Sequence, residues 1–304
     1  MVVCVRMPVS GELRVTTTRP NYDSPLRYPG GKSSLTGFLS GVLDALRMTD
    51  ATYVEPFAGG AGAGISLLLQ GRVGRIVIND RDPAVFAFWS ALTRDGERFA
   101  DRVEEVSLSL DEWRAQRAIY GRGSSAASDP FELGFAFFYL NRTNRSGILN
   151  AGVIGGQAQA GRYKLDARFN RERLAHRLRS IYQLRDQIEV TSDDGRAVIE
   201  RFASAPDAFM YVDPPYVQAG GSLYLNSFTE SDHALLATCL NRNSRASWVL
   251  TYDDVDLIRG LYGERYLTTF ELNYAARNRG KASELMILSD TLSETLIRSD
   301  PEDS

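Results

Sequence analysis

Apolar runs of the roughly 20 residues needed to span a bilayer are absent from this chain of 304 residues. The opening MVVCVRMPVSGELRV also lacks a continuous apolar stretch of signal-peptide length and carries Arg6 and Glu12 early. A soluble, cytoplasmic protein with no membrane partner is therefore expected. Cysteine is scarce: Cys4 and Cys239 are too few and too far apart for a disulfide framework or a zinc site. Histidine is equally scarce, and His176 and His233 cannot build a multi-histidine centre. Any catalysis is expected to run without a protein-bound metal.

A strong net charge is missing too. The formal value of −3 argues against indiscriminate coating of nucleic acid but leaves room for a local basic surface. Between Leu140 and Arg185 stand Arg142, Arg145, Arg162, Lys164, Arg168, Arg171, Arg173, Arg177, Arg179 and Arg185, opposed only by Asp166 and Glu172. An anionic partner should meet the middle of the chain. Repeats and low-complexity tracts are absent, and the tail Ser299–Ser304 is acidic.

What is present is an alternation of short apolar runs and helical patterns. PLRYPGGKSSL (Pro25–Leu35) is a turn-rich loop feeding an apolar helix over Leu35–Leu46. A buried strand is expected at Tyr53–Pro56, a helix at Ala63–Gln70, a strand at Arg75–Asn79, and a further helix from Pro83, a residue suited to a first helical position. Strand, glycine turn, helix and strand within about 30 residues make one βαβ unit of a doubly wound sheet. From Phe99 to Tyr182 this rhythm breaks into helical patches, Phe131–Leu140 and Arg171–Tyr182, around a loop rich in Gly, Asn and Gln, Asn141–Gly161. Strand patterns resume at Ile188–Thr191, Ala208–Val212, Ser247–Thr251, Tyr266–Phe270 and Leu285–Leu288. The expected architecture is α/β: a Rossmann-like catalytic domain formed discontinuously by residues 21–104 and 186–292, a mainly helical domain inserted at 105–185, and irregular termini at 1–20 and 293–304.

Two segments carry chemistry. EPFAGGAGAG (Glu55–Gly64) puts glycines where a backbone must turn sharply and approach a ligand closely, and Asp80 ends the next strand where a ribose diol would be accepted. Nicotinamide cofactors and S-adenosyl-L-methionine both use this arrangement. Gly31-Lys32-Ser33 ends like a phosphate-binding P-loop, but Leu26 occupies the position that needs the first glycine.

The second is Asp213-Pro214-Pro215-Tyr216, directly after the strand FMYV and so at the carboxyl edge of the sheet. Two consecutive prolines cannot continue a central strand and hold the backbone extended. They array a carboxylate, a carbonyl and an aromatic ring. The exocyclic amine of adenine is a poor nucleophile, because its lone pair is delocalised into the ring. The Asp213 carboxylate and the Pro214 carbonyl can each accept one N6–H and draw the nitrogen toward a tetrahedral form, bonds that strengthen as positive charge develops. Tyr216 offers a face for an extruded base.

With these residues the chain resembles the Dam-type (D12 class) DNA adenine-N6 methyltransferases over most of residues 25–290. LRYPGGKSSL is similar to the family's opening motif, which implies that Tyr28 and Lys32 contact the methionine end of S-adenosyl-L-methionine. YVEPFAGGAGAG resembles the cofactor turn and implies binding by Glu55, Phe57 and Gly59; IVINDRDP carries the ribose role to Asp80. DPPY matches the catalytic tetrapeptide, Asp213 to Tyr216, whose aspartate also borders the cofactor. In VTSDDGRAVI, Asp194 falls near the cofactor adenine, with Asp193 the near alternative. YLNRTNRSGILNAG (Tyr139–Gly152) is similar to the segment entering the target-recognition domain, and LNYAARNRGKASELMIL to the terminal basic loop and last strand. The implied protein flips adenine out of double-stranded DNA at a specific site and works as a monomer with no protein partner. DNA contacts are expected from Arg27, Asn141, Arg142, Asn144, Arg145, Lys164 and Arg168. The stretch Arg145–Gly161 departs from the guanine-reading hairpin of GATC-specific members, so no recognition sequence is carried over. Three alternatives stand beside this reading: a cytosine-N4 methyltransferase, a nicotinamide-dependent oxidoreductase, and a silent DNA-binding protein of the same fold.

Overall fold

Residues 15, 17, 23–27, 32–123, 129–217, 228–272 and 282–297 are described by the computed structural model of the protein. The expected βαβ unit is present. Strand β1 (Thr52–Glu55) leads through the glycine turn into helix α2 (Gly62–Leu69), and β2 (Arg75–Asn79) lies parallel to β1. Helix α1 (Thr36–Ala45) precedes them after a single 3-10 turn at Ser33–Leu35. Helix α3 (Pro83–Glu105) starts where Asp82, in extended backbone, accepts from the Ala84 and Val85 amides. Pro83 follows at the first position, where its missing N–H costs nothing.

The remaining strands are β3 (Ile188–Thr191), β4 (Ala208–Val212), β5 (Trp248–Asp253), β6 (Tyr266–Leu272) and β7 (Ala282–Leu288). They complete one seven-stranded sheet in the order β3-β2-β1-β4-β5-β7-β6. The first five are parallel, and β7 runs antiparallel between β5 and β6. This is the Rossmann-like methyltransferase sheet the sequence predicts. Progression runs outward from β1 to β3, then reverses to β4 and β5, so the switch point lies between β1 and β4. Ligands bind at the carboxyl edge of such a sheet at that crevice.

Both faces of the sheet are covered, and the two-residue period of the strands divides the core. Tyr53, Phe209 and Tyr211 face one cluster with α1, α2 and α3, while Val54, Met210 and Val212 face the other. The second cluster is closed by helices α7 (Gly195–Phe202), α8 (Glu230–Arg242) and α9 (Asp256–Leu261).

The inserted region is mainly helical, as expected: α4 (Leu110–Arg122), α5 (Pro130–Thr143) and α6 (Arg171–Tyr182). Its core is continuous with that under the sheet. Phe88 of α3 stacks on Phe138 of α5 at 5.8 Å, and Phe99 packs edge-on against Phe131 and Phe138. The two helices approach at Gly134, where a Cβ would stand 2.6 Å from the Ala87 carbonyl oxygen. Any larger residue there must push backbone against backbone.

One boundary is corrected. Residues 293–297, expected to be irregular, belong to helix α10 (Asp290–Ile297), because Leu292 and Leu296 bury one face against the core. The leader 1–20 and the basic loop of residues 273–281 lie outside the described residues, apart from 15 and 17, which have no regular structure.

Candidate active site

At the switch point the loop after β1 and the loop after β4 stand side by side. The first is held tightly. Gly59 adopts φ 47° and Ala61 φ 44°, so the chain takes two left-handed residues within three positions. The Gly59 amide donates to Asp80 Oδ2 at 2.8 Å, the Asp82 amide donates to Asp80 Oδ1 at 2.9 Å, and the Trp89 indole N–H donates to the Gly59 carbonyl. Burial pushes the Asp80 carboxyl up to about 6 despite these two donors. Glu55, buried at the end of β1, accepts from the Gly64 amide at 2.9 Å, and burial raises it to about 8. Both carboxyls bind their protons more tightly in the folded chain than their ordinary values of 3.8 and 4.5 imply. Their contribution to stability is complete below those values and is lost as pH rises through about 6 and about 8.

Asn79, which sequence reasoning passed over, sits at 0% exposure where three loops meet. Its Nδ2 donates to the Pro56 carbonyl at 2.8 Å and to the Asp193 carbonyl at 3.1 Å. Its Oδ1 accepts from the Thr191 hydroxyl at 2.7 Å and from the Asp193 amide at 2.8 Å. One side chain thus ties the end of β1 to the loop between β3 and α7. Its position at a strand terminus, one residue before Asp80, was the available signal.

Asp194 caps α7 by accepting from the Arg196 amide, and the Arg196 guanidinium grips both its oxygens. That side chain holds its carboxyl down to about 2. Phe57 lies against Gly195, where a Cβ would come within 2.4 Å of the ring, and meets Phe228 edge-on at 5.6 Å. Phe228 is a second wall residue that the sequence did not single out. Tyr28 lies outside the described residues.

The loop after β4 carries Asp213, a quarter exposed, with Pro214 buried and Pro215 and Tyr216 half-buried. Asp213 Oδ1 accepts from the Thr251 hydroxyl at 2.8 Å, stands 3.2 Å from Lys32 Nζ, and lies 3.2 Å from the Tyr216 hydroxyl. Thr251 in turn meets the Tyr211 hydroxyl at 2.9 Å in the buried strand layer. The structure therefore brings Lys32, more than 180 residues away in sequence, onto the tetrapeptide. It also delivers Glu284 from β7, whose Oε2 accepts from the Tyr216 hydroxyl at 2.8 Å and lies 3.5 Å from Lys32 Nζ. Neither Thr251 nor Glu284 was expected. A lone acid within the apolar strand pattern ASELMIL was the only hint. Among the described residues no group of three or more His, Cys, Asp or Glu side chains is arranged to hold a metal, and no helix is long and apolar enough to cross a membrane.

The expected DNA contacts divide sharply. Asn141 and Asn144 are buried, at 1% and 0% exposure, and turn into the protein in this structure. Asn141 accepts from the Arg27 amide and donates to the Arg27 and Gly147 carbonyls. Asn144 accepts from the Trp113 indole and donates to the carbonyls of Ile148 and Leu149. Both clip the loop in this structure, each with both amide protons donated and one bond accepted. Arg145, Lys164 and Arg168 are exposed, while Arg27 and Arg142 are half-buried. Arg142 donates to the Arg168 and Pro25 carbonyls, and burial together with the neighbouring Arg27, Arg177 and Arg168 lowers it to about 9. Arg27 is lowered in the same way, by burial and Arg168. Among the described residues none of Arg27, Arg142, Arg168, Arg173 and Arg177 forms an ion pair with a carboxylate, although Asp23 lies close enough to favour the charge of Arg177. Like charges gathered with so few carboxylates among the described residues make a ready seat for an anion.

The segment Ser24–Arg27 joins this cluster to the glycine turn, since the Ser24 hydroxyl donates to the Gly60 carbonyl at 2.6 Å. The basic patch and the switch-point crevice thus share one strap of chain.

The model of the family described as D12 class N6 adenine-specific DNA methyltransferase matches residues 28–277. Among solved structures, the rRNA methyltransferase aviRa from Streptomyces viridochromogenes is similar at a TM-score of 0.32 and 14% identity, with 87% of this chain and 88% of that chain covered. No curated protein matches the chain.

Proposed function

The chain belongs to the D12 class N6 adenine-specific DNA methyltransferase family, and we propose that it moves a methyl group from S-adenosyl-L-methionine to the N6 amine of an adenine flipped out of duplex DNA at a specific site. Adenine-specific DNA methylation follows from the family; the donor, the flipping and the residue roles are our reading. The observation that carries it is the convergence of Asp213 and Tyr216 with the Gly59–Asp80 turn across the switch point of the sheet.

The donor set suits the cofactor. Asp80 offers a carboxylate for a ribose diol, Phe57 an aromatic wall beside Asp194 for the adenine, and Lys32 an ammonium for the methionine carboxylate, with Glu55 shaping the turn between them. The bound cofactor supplies a methyl group already activated on a sulfonium, so the protein need only align and polarise the amine. Asp213 has a defined part in that task. The bonds from Thr251, Lys32 and Tyr216 all end on Oδ1, and Oδ2 takes none among the described residues. Oδ2 is the atom we assign to one N6–H, and the Pro214 carbonyl to the other. Tyr216 supplies the ring against which the extruded base rests.

DNA is gripped, in this reading, by the basic cluster of the insertion, residues 105–185, which serves as the target-recognition domain. Arg27, Arg142 and Arg168 neutralise phosphates close to the strap, and Arg145 and Lys164 extend the contact outward.

The test is to incubate the protein with tritiated methyl donor and duplex DNA, digest the product and identify the labelled nucleoside. N6-methyladenosine is expected, and label on cytosine or on no base would overturn the proposal. A pH titration checks the cofactor role of Asp80. Ribose hydroxyls donate to the ionised carboxylate, so protonation removes the acceptor. With its carboxyl raised to about 6, cofactor affinity should tighten by up to about tenfold between pH 5 and pH 7.5. Calorimetry showing a flat dissociation constant across that window would remove Asp80 from the ribose site.

A further inference from the structure

A buried carboxylate on a strand paired on both sides needs a reason. Glu284 lies on β7 between Asp253 of β5 and Phe270 of β6, and only 2% of it is exposed. Burying a charge there costs more than burying an aliphatic side chain unless the charge is paired and hydrogen-bonded. Its two described partners both belong to the proposed catalytic cluster: the Tyr216 hydroxyl at 2.8 Å and Lys32 Nζ at 3.5 Å. Lys32, itself 5% exposed, also stands 4.9 Å from the centre of the Tyr216 ring.

The geometry fixes how protons are shared. The Tyr216 hydroxyl has one proton and two carboxylates in reach, Glu284 at 2.8 Å and Asp213 at 3.2 Å, so the shorter contact holds it. Lys32 bridges the same two carboxylates, which lets them sit close together. We infer that Glu284 is a positioning residue for methyl transfer: it draws the Tyr216 proton and part of the Lys32 charge away from Asp213. The Asp213 carboxylate stays an electron-rich acceptor for the amine, and the Tyr216 ring is held by its hydroxyl at one end. Tyr252, tilted at 6.0 Å, backs the same ring.

This inference rests on the reading of Asp213–Tyr216 as the catalytic segment. If Glu284 is made neutral, the Lys32 charge shifts toward Asp213 and the hold of position 284 on the tyrosine proton weakens. Both changes drain the acceptor without touching the proposed DNA contacts, and any effect through Lys32 on the cofactor is read separately in its dissociation constant.

The experiment is Glu284→Gln assayed under saturating DNA and cofactor, with KM for DNA and the cofactor dissociation constant measured on the same preparation. A fall in kcat of roughly tenfold to a hundredfold with KM changed less than about threefold is expected, below the loss for a direct contact. A purely structural role would instead lower the melting temperature and the active fraction while leaving kcat per folded molecule intact, and that result overturns the inference. The same substitution in a Tyr216→Phe background should cost less than in the wild type, because the hydroxyl that Glu284 holds is gone; equal losses in both backgrounds also overturn it. Should Glu284→Gln fail to fold, Tyr216→Phe alone reads the contact from its exposed side. Lowered kcat at unchanged KM supports the inference, and wild-type kcat refutes it. Asp213→Ala run alongside separates the two levels. An active Asp213→Ala enzyme sinks the site reading itself, whereas an inactive one beside a Glu284→Gln enzyme of normal kcat sinks only the role of Glu284.

Discussion

Asp213→Ala is expected to lower kcat for adenine methylation by at least about 10²-fold, the scale for losing one transition-state hydrogen-bond partner in a preorganised site. The substitution removes more than the proposed contact to the amine. Thr251 and Lys32 lose their shared acceptor at 2.8 and 3.2 Å, and Lys32 is left with Glu284 as its described carboxylate. Asp213→Asn isolates the chemistry, because it keeps the shape but gives up the charge that strengthens as the amine becomes cationic. Both variants should lose kcat far more than they raise KM for DNA, since the phosphate contacts proposed above lie elsewhere. Steady-state kinetics with the labelled donor decides it, and near-normal turnover in either variant would remove Asp213 from the mechanism.

The second large effect is expected at a residue with no chemical role. Asn79→Ala strips four hydrogen bonds from a fully buried position and orphans the Pro56 and Asp193 carbonyls and the Asp193 amide. Only the Pro56 carbonyl loses its partner in a buried bond, while the groups of exposed Asp193 can turn to water, so a loss of about 1–3 kcal/mol in unfolding free energy is expected. Because the lost bonds join the loop before the glycine turn to the loop carrying Asp194, cofactor affinity should also weaken by roughly tenfold, equivalent to about 1.4 kcal/mol. Asn79→Asp should not rescue it, since a carboxylate cannot donate to the two carbonyls and brings a charge against them. Urea unfolding and calorimetry measure the two effects separately. Unchanged stability in Asn79→Ala would show that the loops hold one another without this tie.

How much of this was visible beforehand follows a physical line. The elements were legible because their determinants are local: the short continuous apolar run FMYV, the proline behind the Asp82 cap, the 3.6-residue pattern of RERLAHRLRSIY. The glycine turn was legible for the same reason, since left-handed backbone at Gly59 is a property of the residue itself. Asn141 and Asn144 show where this kind of reading stops. A polar amide after a helix looks the same whether it points at a groove or at a carbonyl. Only the fold of the loop over Arg27 and Trp113 turned both into buried clips. The same limit hid Glu284, which on the chain is an interruption in an apolar strand and in space is a partner of Lys32.

By itself, then, the amino-acid order determined the βαβ alternation, the doubly wound class of the sheet, and the existence of a rigid acid–proline–proline–tyrosine segment just after a strand. Each depends on residues within one element or turn. Tertiary structure alone decided which side chains that segment would meet. Strand order set β4 beside β1 and inserted β7 against β5, and so delivered Lys32, Thr251 and Glu284 to Asp213 and Tyr216 from distant parts of the chain. Hydrogen bonds and ion pairs act over about 3 Å, whereas sequence pattern carries information along the chain, and only the packed sheet converts the one into the other.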